Sequence, residues 1–152
     1  VQDDESWVVY QVVAREERGV YPYEEVSGNM REAVFRRKFT EILDRFINLC
    51  GGNESRIGII PTASELEDTG RNYEKLFRRL GVKHAKVLGF ETRQDCQSSS
   101  ELEYIDKSDG VFLTGGNQLR LSTLIGGTQV AQRIRRRNAT GMHVAGTSAG
   151  AS

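Results

Sequence analysis

Apolar positions along this chain fall into two alternating rhythms, one helical and one extended. From Asn29 onward, Phe35, Phe39, Ile42, Leu43, Phe46 and Ile47 recur at helical spacing with charges on the opposite face. Gly51-Gly52 then predicts the stop, since glycine takes the left-handed position after a helix without strain. Arg56-Ile57-Gly58-Ile59-Ile60 reads as a short buried strand closed by Pro61. A second helix carries Tyr73, Leu76, Phe77 and Leu80 on one face and ends at Gly81. Ala85 to Phe90 is the next predicted strand. Ser98-x-x-Glu101 is a capping-box signature opening a short helix with Leu102 and Ile105 inward. Gly110 to Thr114 is a strand, followed by a helix around Leu119 to Ile125, Gly126-Gly127, and a helix from about Gln129 to Asn138. Met142 to Ala145 is the last predicted strand. Ahead of Asn29 the pattern is least clear, although Trp7 to Ala14 is β-rich enough for a first strand.

Strands and helices therefore alternate. That order predicts an α/β fold, a parallel sheet with helices on both faces. Such sheets bind ligands outside the carboxyl ends of their strands, where the strand order reverses. Two predicted strands have unusual carboxyl ends. One runs into Thr114-Gly115-Gly116-Asn117-Gln118 and the other into Gly146-Thr147-Ser148-Ala149-Gly150. If these strands are neighbours, both loops line one pocket.

Composition narrows the function classes. The chain has 152 residues, enough for one domain with a core. Acidic and basic residues balance at 21 each, so no global field points to nucleic acid or a membrane surface. No apolar stretch approaches the length of a membrane span, and no secretory signal is visible. Cys50 and Cys96 lie far apart, one ending a helix and one in a polar loop. They read as free thiols, with no CxxC or histidine at metal spacing.

Gly146-Thr147-Ser148-Ala149-Gly150 after a short apolar strand is the pattern of a nucleophile elbow, a tight strand-to-helix turn that presents a serine hydroxyl. The flanking glycines fit it because side chains there would strike neighbouring backbone. The Ala149 N–H would be one oxyanion donor and the Gly116 N–H, from the diglycine loop, the second. The bland alternative is an ordinary βα turn. A serine also needs a base. The chain has only His84 and His143. His143 is five residues before Ser148, on the opposite strand face, and His84 begins a strand at the amino-terminal edge. Neither is a credible base. Gln118 reads as a substrate contact, and Asn117 equally as a substrate contact or a helix cap. Arg133, Arg135, Arg136 and Arg137 read as a charged helix face near a carboxyl end.

Arg56 to Ser64, Asn72-Tyr73, Gly110 to Arg120 and Val144 to Ala151 together resemble the cyanophycinases of peptidase family S51. The resemblance covers about Asn29 to Ser152, leaving residues 1–28 poorly matched. It implies a class I glutamine amidotransferase-like (flavodoxin-like) sheet and a serine exopeptidase. The implied substrate is cyanophycin, a poly-aspartate bearing arginine on its side chains, or another aspartyl peptide. The implied product is the β-aspartyl-arginine dipeptide. By resemblance Ser148 is the nucleophile, Gly116 and Ala149 the oxyanion donors, and Gln118 a substrate-binding residue. The resemblance implies no cofactor or metal, no nucleic acid or membrane partner, and a cytoplasmic, commonly dimeric enzyme. In the family the histidine base and its acid come after the elbow. The chain is therefore expected to be an amino-terminal half, truncated after the elbow and inactive alone. The rival expectations are an α-aspartyl dipeptidase or other S51 peptidase, and a non-catalytic amidotransferase-like binding domain.

Overall fold

The computed structural model describes residues 23–151, with side chains from Arg36 to Ala151. The expected strand at Trp7 to Ala14 lies outside them. The chain divides into residues 1–43 and 44–152. A helix α1 spans Tyr23–Leu49, starting earlier than Asn29. In the first unit its exposed surface carries ion pairs of Glu41 with Arg37 and Lys38, each 3.6 Å long.

The second unit follows the predicted alternation: β1 (Arg56–Ile60), α2 (Thr69–Arg79), β2 (His84–Val87), α3 (Ser99–Asp106), β3 (Gly110–Leu113), α4 (Gln118–Ile125), α5 (Gln129–Ala139) and β4 (His143–Gly146). All strand pairs are parallel, and the order across the sheet is β2-β1-β3-β4. After β1 the chain steps outward to β2, then crosses back over β1 to β3 and continues to β4. The order reverses between β1 and β3, which is where such a sheet opens a crevice.

Side-chain alternation distributes the core to both faces. Ile57 and Ile59 share a face with Gly110 and Phe112 through the β1–β3 register. On that face Phe112 meets Phe46, Tyr73 and Phe77 with ring centroids 6.0, 5.2 and 5.4 Å away. Gly110 sits under Phe46 and Cys50, where a Cβ would collide with both. Ile60 and Val111 point to the other face. They join Leu88, Leu102, Ile105, Val130 and Met142 in a second cluster, bringing α3 and α5 against the sheet. Each fully buried Ile, Leu or Phe contributes about 1.5–3 kcal/mol relative to exposure.

Three expectations are corrected locally. The second strand stops at Val87 instead of Phe90. Leu88 keeps one ladder bond, to Ile59 O, and the Phe90 carbonyl then turns to accept the Thr62 hydroxyl at 3.1 Å. The capping box does not close. Ser98 is the N-cap residue but makes no side-chain cap bond; its hydroxyl lies 3.1 Å from Ser100 Oγ. Glu101 is drawn to Lys86 of β2, at 3.3 Å, so a tertiary ion pair replaces the local bond. Cys96, expected in a polar loop, is fully buried. The Asp95 carboxylate accepts the Glu91 and Thr92 amides, folding a turn that carries Cys96 inward. The arginine cluster on α5 is used structurally: Arg133 and Arg136 pair with Asp106 of α3, and Arg137 donates to Ser108 O. No described helix is long and apolar enough to cross a membrane.

Candidate active site

Hydrogen-bond register places the carboxyl ends of β3 and β4 side by side, with Leu113 opposite Gly146. Beyond Gly146 the chain bends into a 3-10 turn, Ser148–Ala151. Ser148 has φ 48°, the one positive φ of a non-glycine among the described residues. Such a conformation costs about 1–3 kcal/mol and survives only where surrounding structure enforces it. Close packing supplies the enforcement. A Cβ on Gly146 would overlap Gly150 O, and one on Gly150 would overlap Leu113 O. The Thr147 N–H donates to Leu113 O (3.2 Å) and the Gly150 N–H to Thr147 O (2.9 Å). Ser148 is exposed at the bend. Ala149 follows it, buried, ahead of the first turn-closing bond, where the amides of such a turn have no partner within it.

The diglycine loop lies against this elbow. A Cβ on Gly115 would be 3.2 Å from Ser148 Cβ. Gly115 N–H donates to Thr147 Oγ1 at 2.9 Å. Gly116 has φ 147°, and a Cβ there would run into Ala63 O, so only glycine fits. On its far side the Asn117 N–H donates to Ala63 O at 2.7 Å, and Arg120 Nε donates to Thr62 O at 2.9 Å. The loops after β1, β3 and β4 are thus laced together at the reversal point of the sheet.

Between them opens a cleft of about 690 Å³. Its walls are Ala63 to Leu66, Thr69 and Tyr73 of α2, Gly115 to Asn117, and Thr147. The expected meeting of two glycine-rich loops is therefore present, and Ala63 and Ser64 reach the cleft as well. Asn117 both lines the cleft and caps α4, its Oδ1 accepting the Arg120 N–H at 3.1 Å. Gln118 is the exposed first residue of α4 and is not part of the cleft wall. His84 and His143 stand opposite Arg56 and Gly110 at the amino ends of their strands, away from Ser148.

Sequence reasoning missed Tyr73 and Thr147. Helical spacing puts Tyr73 on a core face, and its ring packs on Phe112. Its hydroxyl, however, reaches to 3.4 Å from Thr147 Oγ1. The usable signal was a tyrosine among Leu and Phe on one helix face, since a buried phenol ends in a group that needs a polar partner. The two thiols offer no rival nucleophile. Burial, with Asp109 adding to it, pushes Cys50 up to about 12. Burial likewise raises Cys96 above its ordinary value. Thiols so raised stay protonated at neutral pH.

The description "Peptidase family S51" belongs to the family model that matches residues 32–152. The chain is a member of peptidase family S51. Its relatives include the cyanophycinase of Geminocystis herdmanii, 41% identical over 74% of this chain and 42% of that protein. The cyanophycinase of Trichormus variabilis is 40% identical over 84% of this chain and 42% of that protein. A peptidase from an acI-B1 Actinobacterium has a similar solved structure, with TM-score 0.62 and 27% identity over 72% of this chain and 48% of that one. The chain spans about two-fifths of the length of the curated relatives it matches.

Proposed function

We propose that Ser148 is the nucleophile of a serine exopeptidase that hydrolyses cyanophycin to β-aspartyl-arginine dipeptides. The observation that carries this reading is an exposed serine, held at positive φ and packed against a diglycine loop that lines a cleft together with the neighbouring Thr147, Ser148 itself not being part of the cleft wall. In the reaction Ser148 Oγ attacks an aspartyl backbone carbonyl and gives its proton to a base. The carbonyl oxygen becomes an oxyanion, and the N–H groups of Gly116 and Ala149 are its donors. The C–N bond breaks, the leaving amine takes the proton, and water then cleaves the acyl-serine ester. Asn117 contacts the substrate from the cleft wall, and Gln118 contacts the part of it that extends past the cleft. The base is neither His84 nor His143, which stand at the amino ends of their strands, away from Ser148. The chain by itself is accordingly expected not to turn over.

The test is cyanophycin hydrolysis by the active enzyme containing these residues. Ser148→Ala is expected to lower kcat by about a thousandfold or more. Wild-type turnover in Ser148→Ala would overturn Ser148 as the nucleophile, and binding of cyanophycin without hydrolysis by the unmutated enzyme would favour a non-catalytic binding domain. Hydrolysis of free α-aspartyl dipeptides, with no β-aspartyl-arginine released from cyanophycin, would favour an aspartyl dipeptidase.

A further inference from the structure

One hydroxyl joins the serine elbow to the diglycine loop. Thr147 Oγ1 accepts the Gly115 N–H at 2.9 Å and has the Tyr73 hydroxyl 3.4 Å away. Thr147 is itself fixed at both backbone groups, its N–H to Leu113 O and its carbonyl to the Gly150 N–H. The bond therefore ties the loop to the least movable part of the elbow. Gly116 is bracketed by this bond on one side and by Asn117 N–H to Ala63 O on the other. Two consecutive glycines have little intrinsic preference for one backbone conformation, so the direction of the Gly116 amide depends on such outside ties. An oxyanion donor is useful only when it is aimed before the charge develops.

We propose that Thr147 is a positioning residue: its hydroxyl locks Gly115 and thereby aims the Gly116 N–H at the carbonyl attacked by Ser148. This rests on the reading of Ser148 as nucleophile. Tyr73 is the outer link, holding the Thr147 hydroxyl from α2 while its ring is clamped on Phe112. Thr147→Val keeps the shape of the side chain and removes the acceptor. Thr147→Ser keeps the oxygen.

Kinetics of cyanophycin hydrolysis, measured well below the melting temperature of each variant, test the proposal. Thr147→Val is expected to lower kcat by about 10- to 100-fold, the scale of a misplaced catalytic group, with KM changed by less than about threefold. Thr147→Ser is expected to return kcat to within about threefold of wild type, a rescue that a loss of bulk packing would not show. Amide hydrogen exchange at Gly115, read by NMR on the same active enzyme used for the kinetics, gives an arm independent of turnover. Exchange should be slow in wild type and Thr147→Ser and fast in Thr147→Val. Full kcat in Thr147→Val beside an inactive Ser148→Ala overturns the positioning role and leaves the nucleophile standing. Full activity in Ser148→Ala overturns the nucleophile, and the aiming role falls with it. Equal Gly115 exchange in wild type and Thr147→Val overturns the lock whatever the activities.

Discussion

Residues of similar chemistry end up in opposite roles here because of where their backbones lie. Ser148 and Ser108 are both serines on loops or element ends. One is exposed at a strained bend; the other is fully buried, its hydroxyl donating to Tyr104 O at 2.7 Å. Cys50 shows the same dependence. It is buried beneath Gly110 at the amino end of β3, and that burial, with Asp109 adding to it, raises its thiol to about 12. The sign of the pH effect follows. Between 9.0 and about 12 the unfolded chain loses the Cys50 proton while the folded chain keeps it. The unfolded state then binds fewer protons, so stability falls as pH rises through that window and is fully present below it. Urea unfolding from pH 7 to pH 11 should show a decline above about pH 9 that is smaller in Cys50→Ala. An identical decline in both proteins would mean that other groups carry it.

At the scale of elements, the two turns at the carboxyl ends of β3 and β4 are built in different ways. The elbow after β4 is held by glycine packing. The loop after β3 is held by a cap and by ties to the β1 loop. Asn117 is the pivot of the second: its side chain starts α4 and its N–H holds Ala63 O. Removing the side chain should therefore destabilise α4 without dissolving the loop. Asn117→Ala is expected to cost about 1 kcal/mol in chemical denaturation, and Asn117→Ser much less, since serine caps nearly as well. Equal stability of the two variants would show that the cap adds nothing. The opposite lesson comes from α3. Its sequence carries a capping-box signature, yet Glu101 pairs with Lys86 of β2 instead. Local propensity worth a few tenths of a kcal/mol up to about one yields readily to a partly buried tertiary contact.

For the whole molecule, the aromatic cluster under β3 connects stability to the cleft. Phe112 is buried at the centre of Phe46, Tyr73 and Phe77, and Tyr73 is also a wall of the cleft. Phe112→Ala is expected to cost about 3–5 kcal/mol, from lost burial and the cavity left behind. That loss should appear as a large fall in the urea midpoint; a change below about 1 kcal/mol would mean that the cluster collapses and refills. Most of this architecture was readable in advance. The strands at Ile57 to Ile60 and Val111 to Leu113 are short apolar runs with no helical period, and glycine marks the helix ends. The elbow was legible because its chemistry is local: a serine between glycines after a strand. What the sequence by itself determined was the order of elements and the two glycine-rich loops at the carboxyl ends of β3 and β4, because periodicity and turn chemistry act over a few residues. Only the tertiary structure decided that β1 lies between β2 and β3, that Ala63 seats Gly116, and that Thr147 and Tyr73 meet, because those contacts join residues up to 74 positions apart and depend on strand order and register.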